Sequence, residues 1–472
     1  MNNNGATAGI IVIGDEILKG QIQDTNSHFL AKELKSCGIK LQKMLILPDD
    51  IDEISSEVRK FCSHFTYVFT CGGVGPTHDD VTFEAVAKAF NEELVINEDI
   101  KKVLQMHFKD LNESMLKMAK VPKSAKADYS KTGTNCFPVM TLNNLFILPG
   151  IPSLLEKTFA CIKPEIRQEN STKVSEVYIK STEFSITEQL NELVSKHKNS
   201  AVFGSYPSWN HNYYGTKLTI EALKQDLVDE IVEEIHSKMD VIEFDPQPLT
   251  NPLPKMDIFK AKLQDQDFKQ RLEQAQKVIE DCYEKYDENQ VAIAFNGGKD
   301  CMVLLHLTHI FLKGHKLKAL YIRDSDPFPI VEDFIAECQK SYDLDLTTIQ
   351  GSMKDALQQM LDSNPQIKAI LMGTRTGDPG SKGQGHFSPT DGNWPLVMRV
   401  NPIIDWHYQD VWKFLRGLFL PYPILYDQGY TSLGGKSNTS PNPHLATSEK
   451  TFKPAYFLED GTLERAGRQS RK

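Results

Sequence analysis

Residues 291–301 read Val291-Ala292-Ile293-Ala294-Phe295-Asn296-Gly297-Gly298-Lys299-Asp300-Cys301. An apolar run ends in a glycine pair, a lysine and an aspartate. Met302 to Leu312 are then apolar enough for a buried helix. A strand, a glycine turn and a helix in that order aim free backbone N–H groups at one spot. The helix N-terminus adds partial positive charge there, and Lys299 adds a full one. That is the make-up of an electropositive polyphosphate cradle. A glycine pair alone reads as a tight turn between core elements. The lysine and aspartate directly after it favour the cradle. The spacing is not G-x-x-x-x-G-K-[ST], because four residues are missing.

Outward from this stretch the alternation continues. Ala319 to Ile322, Leu344 to Ile349 and Ala369 to Met372 read as strands with helices between them. Upstream, Phe268, Leu272, Ala275, Ile279, Cys282 and Tyr286 recur at intervals of four and three, the core stripe of a helix. Ligands of such sheets bind beyond the carboxyl ends of the strands. The strand at 369–372 empties into Gly373-Thr374-Arg375-Thr376-Gly377-Asp378-Pro379-Gly380, either a ligand loop or a polar connection. Asp391-Gly392-Asn393-Trp394-Pro395 adds a carboxylate and a large aromatic. A helix with Val411, Trp412, Phe414 and Leu415 reads as core.

The segment at 244–257, FDPQPLTNPLPKMD, carries four prolines. They argue against a regular helix and for an extended linker, placed at 244–259. Before it, residues 6–165 again alternate. Ile10 to Ile13, Met44 to Leu47, Tyr67 to Thr70 and Leu145 to Leu148 are strand-like, with helical stretches between them. Pro152 suits the first turn of a helix. Residues 174–243 read as a small α/β subdomain, with Ser185 and Glu188 as a capping box. The expected fold is therefore α/β: two doubly wound parallel-sheet domains and one small α/β subdomain. Expected boundaries are 1–170, 171–243, the linker, and 260–472.

In the N-terminal part, Gly14-Asp15-Glu16-Ile17-Leu18-Lys19-Gly20 follows the first strand, and 72–82, GGVGPTHDDVT, follows the third. Glycines let a phosphate approach the backbone, but carboxylates repel it unless a hard cation intervenes. Asp15, Glu16, Asp79 and Asp80 are candidate ligands for one. The alternative is that the aspartates only cap helices.

The chain's 472 residues suit two or three domains. A net charge of −10 argues against a protein that coats nucleic acid. No apolar run is long enough to span a membrane. The chain enters a strand-like run at Ala8 with no secretory pattern before it. The eight cysteines form no C-x-x-C pair and no zinc spacing with histidines. Buried free thiols and a cytoplasmic location are expected, with a mitochondrial pool left open.

The cradle resembles the Ser-Gly-Gly-Lys-Asp-Ser loop of the ATP pyrophosphatase (PP-loop) superfamily, with Asn296 and Cys301 at the serine positions. The Asn-Gly-Gly-Lys-Asp-Cys form looks like eukaryotic FAD synthase. Four further motifs match that family. They are G-x-R-x-x-D-P at Gly373, Arg375, Asp378 and Pro379; D-x-N-W-P at Asp391, Asn393, Trp394 and Pro395; Y-D-x-G-Y-T-S-L-G from Tyr426 to Gly434; and E-R-A-G-R from Glu464 to Arg468. The resemblance covers nearly all of 260–472. It implies joining of FMN and ATP into FAD with release of pyrophosphate, with Mg²⁺ as cofactor. It places Asn296, Gly297, Gly298 and Lys299 on the ATP phosphates. Asp300 positions magnesium or substrate, and Arg375 belongs to the same loop set. Asp378, Asp391 and Trp394 lie toward flavin and nucleotide, and Arg465 and Arg468 toward the FMN phosphate or ring. A frayed basic tail is the other reading of those arginines. Client apo-flavoproteins and an oligomer are candidate partnerships; nucleic acid and membrane are not expected partners.

PAPS reductase, a rival in the superfamily, needs a nucleophilic cysteine near its C-terminus, whereas the last cysteine here is Cys338. The paired cysteines of PP-loop tRNA-thiolating enzymes are also missing. Residues 6–165 resemble the molybdopterin-binding family and CinA-type proteins, and 174–243 resembles the CinA-type extension. This implies a nucleotide or pterin site, with FAD hydrolysis or regulation as its use and molybdopterin adenylylation as the alternative. Lys131 to Pro138 departs from the glycine-rich pattern of a molybdopterin binder.

Overall fold

The computed structural model describes residues 5–108, 110–134, 137–168, 172–313, 315–448 and 451–469. Asn135 and Cys136, inside the Lys131 to Pro138 segment, and the last three basic-tail residues lie outside them. The chain divides into two compact units: Met1–Ser175 with His197–Val202 and Ile220–Ile231, and Glu176–Lys196 with Phe203–Thr219 and Val232–Lys472.

The first unit is built on a six-stranded sheet. In order, its strands are Lys40–Leu47, Thr7–Ile13, Tyr67–Cys71, Leu145–Leu148, Val139–Leu142 and Lys126–Asp128. The first four run parallel. Strand alternation sends successive side chains to opposite faces. Ile11 and Ile13 therefore pack with Ile54, Val58 and Phe61 of the helix Ile51–His64. Ala8, Ile10 and Val12 pack with Leu30 and Leu34 of Asn26–Ser36 and with Leu155 and Phe159 of Pro152–Ile166. Pro152 opens its helix as expected.

The second unit repeats the scheme with the order Leu344–Gln350, Leu317–Arg323, Val291–Ala294, Ala369–Leu371, Met398–Val400 and Phe387–Pro389. Val291 and Ile293 face one core, while Ala292 faces another with Leu320, Ile370 and Met360. The predicted stripe lies on Gln266–Lys285, where Phe268, Leu272, Ala275, Ile279 and Cys282 are buried.

The expected α/β fold with two mainly parallel sheets is present, and two finer expectations are corrected below. Each sheet also carries antiparallel pairing at one edge. Val139–Leu142 runs antiparallel to the body of the first sheet and pairs antiparallel with the edge strand Lys126–Asp128, and Phe387–Pro389 is the antiparallel edge of the second. Short return strands at an edge need no crossover helix, so helix–strand alternation does not announce them. The Pro-rich segment is not all extended, because a helix spans Pro252–Lys262. Its prolines fall in the first turn, where a missing N–H costs nothing. The proposed capping box also fails. Ser185 lies inside Glu183–Lys196, and its hydroxyl donates to the Thr182 carbonyl at 2.7 Å.

Candidate active site

The strand Val291–Ala294 delivers the chain to the carboxyl edge of the second sheet. Gly297 then turns with φ of 72°, in the left-handed region glycine tolerates. The Asn296 side-chain oxygen accepts from the Gly298 amide at 2.9 Å. Helix Lys299–Phe311 starts directly after Gly298, three residues earlier than the apolar pattern suggested. Its first-turn amides are donors without intrahelical partners. The Lys299 amide donates to the Tyr426 hydroxyl at 3.0 Å. Gly373 is pressed against this turn: a Cβ there would lie 3.0 Å from the Asp300 carbonyl carbon and 3.1 Å from the Cys301 amide. Any side chain at 373 would push the loop off the helix.

The Lys299 side chain is 2% exposed. Its Nζ pairs with Asp300 at 2.9 Å and with Glu464. Arg375 Nε pairs with Asp300 Oδ1 at 2.6 Å, and its Nη2 pairs with Glu464. Two cations and two carboxylates thus close a square. Lys299 Nζ also lies 5.4 Å and 5.9 Å from the ring centres of Tyr408 and Tyr426. Burial alone would lower the Lys299 pKa, but Asp300 and Glu464 carry it above the usual lysine range. Burial would raise Asp300, and Arg375 and Lys299 hold it below the ordinary value instead. Burial pushes Asp378 up, although its carboxylate accepts from the Arg375 amide at 2.8 Å. Burial also pushes the Cys301 thiol up to about 12, so it is no nucleophile near neutral pH.

A cleft of about 260 Å³ opens over Asn296, Gly298, Lys299 and Asp300. A neighbouring one of about 1000 Å³ reaches the strand ends at Leu320 and Met372. The two share Asn296, Asp324, Asp378 and Arg465. Arg465 is the basic residue common to both walls. It is held by an arm fastened to the 431–442 segment: Thr431 Oγ1 donates to the Glu464 carbonyl at 2.6 Å, and Asn442 Nδ2 to that of Leu463 at 2.9 Å.

The structure therefore brings Asn296, Gly298, Lys299, Asp300, Asp378 and Arg465 to one cleft, with Arg375 behind it. It does not bring Asp391 and Trp394 there. The Asp391 side chain is 85% exposed and Trp394 is 41% exposed, on the loop beyond Pro379. Arg468 lies outside the cleft lining, where its Nη1 donates to the Leu433 carbonyl at 2.6 Å. The expected electropositive pocket is also corrected. Asp300, Asp324, Asp378 and Glu464 line the smaller cleft against Lys299 and Arg465, so carboxylates outnumber cations. Sequence reasoning assigned no part to Tyr426, Glu464 or Asp324. Asp324 had a positional signal, directly after a strand's carboxyl end. Glu464 stands beside Arg465 in a basic terminal segment, where spacing carries no signal for a buried carboxylate.

In the first unit a pocket of about 520 Å³ lies at the strand ends, lined by Gly72, Gly73, Glu16, Asp80 and Gly150. The expected cation set does not converge. Asp15 pairs with Lys19 at 2.7 Å, and Asp80 accepts the Thr77 amide at 2.8 Å. Asp79 faces His78 at 3.9 Å. Among the described residues no group of three His, Cys, Asp or Glu could hold a metal ion. The sequence spacing placed these acids near one edge but could not show the local partners of Asp15, Asp79 and Asp80.

A sheet edge carrying a glycine cradle, a helix N-terminus and a cleft defines an α/β nucleotide-binding protein of the PP-loop class. The family described as "Phosphoadenosine phosphosulfate reductase domain" matches residues 290–359 and 351–441. "FAD synthase, middle domain" matches 172–246, and "Probable molybdopterin binding domain" matches 9–168. A probable FAD synthase of Caenorhabditis elegans is 34% identical over 504 residues, covering 98% of this chain and 97% of that one. One from Schizosaccharomyces pombe is 43% identical over 210 residues, covering 42% of this chain and 79% of its own. A CinA-like protein of Thermosipho melanesiensis is 30% identical over 242 residues, covering 49% and 58%. The chain belongs to the FAD synthase family.

Proposed function

We propose that this chain transfers the adenylyl group of ATP to FMN, giving FAD and pyrophosphate, at the cleft of residues 260–472. The observation that carries the reading is the cradle itself: the glycine pair, the helix N-terminus and the cleft above them, in a chain of this family. A phosphate oxygen of FMN attacks the α-phosphorus of ATP. The bond from that phosphorus to the bridging oxygen breaks, and the electron pair leaves with pyrophosphate. The nucleophile is already anionic, so no strong base is needed. The barrier lies in bringing two polyanions into line.

The first-turn amides of Lys299–Phe311 other than that of Lys299, and the Asn296 side-chain NH2, are the donors to phosphate oxygens in this reading. Arg465 is placed to neutralise an incoming phosphate. Lys299 and Arg375, already paired, act by fixing Asp300. The acidic balance of the wall fits a divalent cation that arrives with ATP. Magnesium is commonly held by one or two carboxylates plus the substrate phosphates. Asp300 and Asp378 are the carboxylates to hold it, and it would neutralise charge as the phosphates meet. Asp391 and Trp394, exposed on the adjoining loop, are assigned to the flavin side. Trp394→Ala is then expected to raise KM for FMN more than KM for ATP.

The direct test mixes purified protein with FMN, ATP and Mg²⁺ and separates the products chromatographically. FAD and pyrophosphate in equal amounts are expected; absence of FAD would remove the reading. For the N-terminal domain, residues 1–170 in the sequence reading, the glycine-lined pocket favours hydrolysis of FAD to FMN and AMP. FAD unchanged after incubation with the full chain and divalent metal would dismiss that role. The seven described cysteines are free, which supports a reducing compartment such as the cytoplasm, where apo-flavoproteins would receive the product. Among the described residues no helix is long and apolar enough to cross a membrane.

A further inference from the structure

Between the strands Ala201–Pro207 and Thr216–Ala222 the chain makes a turn that belongs to the second unit and is hydrogen-bonded to its residues 415–427. Asn212 Nδ2 donates to Asp427 Oδ2 at 2.8 Å, and the Asn212 carbonyl accepts from Arg416 at 3.3 Å. The Tyr213 hydroxyl lies 2.6 Å from the Leu420 carbonyl and 3.0 Å from that of Leu415, and the side chain is buried. The Tyr422 amide donates to Asn212 Oδ1 at 3.4 Å, and its hydroxyl donates to Asp427 Oδ1 at 3.3 Å. Asp427 follows Tyr426 directly. Tyr426 is buried, and its hydroxyl receives the Lys299 amide at the start of the cradle helix. Rings bridge the same path: Tyr213 to Tyr422 at 5.9 Å and Tyr422 to Tyr426 at 6.3 Å.

We infer that the turn at Asn212 and Tyr213 is a positioning element for the ATP loop. Through Asp427 and Tyr422 it sets where the Tyr426 hydroxyl stands, and so where the first amide of Lys299–Phe311 points. Two features make this more than packing. The contacts end on one side-chain hydroxyl at the helix N-terminus, where amide direction decides phosphate binding. The linkage is also polar and directional, so a small displacement of the turn is passed on rather than absorbed. The inference rests on the cradle binding ATP, as proposed above. It adds that residues of the segment matching the FAD synthase middle domain take part.

The test uses the full chain and reads ATP affinity by calorimetry, separately from FAD formation. Asn212→Ala is expected to weaken ATP about tenfold, with KM for FMN within about twofold, as expected for a loop displaced by a fraction of an ångström. Tyr426→Phe is expected to do the same, and the double variant to be little worse than either single one. Asn212→Asp sets two carboxylates together and is expected to be worse. Adding Asp427→Asn to it rebuilds the pair with its roles exchanged and restores ATP binding. Unchanged ATP affinity in Asn212→Ala, or additive effects with Tyr426→Phe, would overturn the inference. If Asn212→Ala folds poorly, the exchanged pair decides: restored ATP binding supports the inference and no restoration refutes it. Absence of FAD with ATP binding intact would instead count against the proposed reaction alone.

Discussion

Lys299 shows how one residue can hold its place in a motif and still act differently from its apparent role. Its charge is met by Asp300 and Glu464 within a buried square. Lys299→Ala leaves two carboxylates facing Arg375 alone. Turnover is expected to fall about 10²–10³-fold. Thermal unfolding should also move to lower temperature, because a buried ion pair has lost one member. A variant that kept wild-type turnover would place Lys299 outside the chemistry. Asp427 offers a second test at this scale. Burial lifts its pKa to about 6 from 3.8. The folded state therefore holds this proton more tightly than the unfolded one, so stability declines as pH rises from about 4 to about 6 and levels off above. Asp427→Asn should flatten that window, by on the order of 1–3 kcal/mol in urea melts compared at its two ends.

Between elements, the helices Gln266–Lys285 and Tyr408–Gly417 are joined by Arg271 and Asp410, with Nε to Oδ2 at 2.9 Å and Nη2 to Oδ1 at 3.1 Å. Asp410 is buried, so Arg271→Ala strands a charge and is expected to cost about 3–5 kcal/mol in chemical denaturation. The cleft lies elsewhere, so activity per folded molecule should change little. Elements with strong periodicity were legible. The stripe from Phe268 to Cys282 and the run Val291–Ala294 needed only spacing and apolarity. Met398–Val400 and Phe387–Pro389 were not, because strands of three residues carry too few alternations to signal themselves. The helix Pro252–Lys262 was hidden because proline forbids a helix interior but suits its first turn, and composition alone does not distinguish them.

For the molecule as a whole, the wall of the cleft decides what must accompany the substrate. Four carboxylates stand there against Lys299, Arg465 and, behind the wall, Arg375, so ATP stripped of its metal finds no surplus of positive charge. Chelation of divalent ions should abolish FAD formation, and excess Mg²⁺ should restore it without refolding, as followed by product chromatography. The cradle was readable because its parts are contiguous. The sign of the surrounding wall was not, because Asp324, Asp378 and Glu464 converge from loops far apart in sequence.

That separation also bears on how the protein is made. Glu464 closes the charge square from 165 residues beyond Lys299. At roughly 5–20 residues per second, a ribosome needs on the order of ten to thirty seconds to supply it. Once Arg375 has emerged, and until Glu464 follows 89 residues later, the nascent domain carries Lys299 and Arg375 against Asp300 alone. The half-built cradle is thus transiently richer in positive charge than the finished one. It is also a natural moment for a chaperone, or an early nucleotide, to hold it.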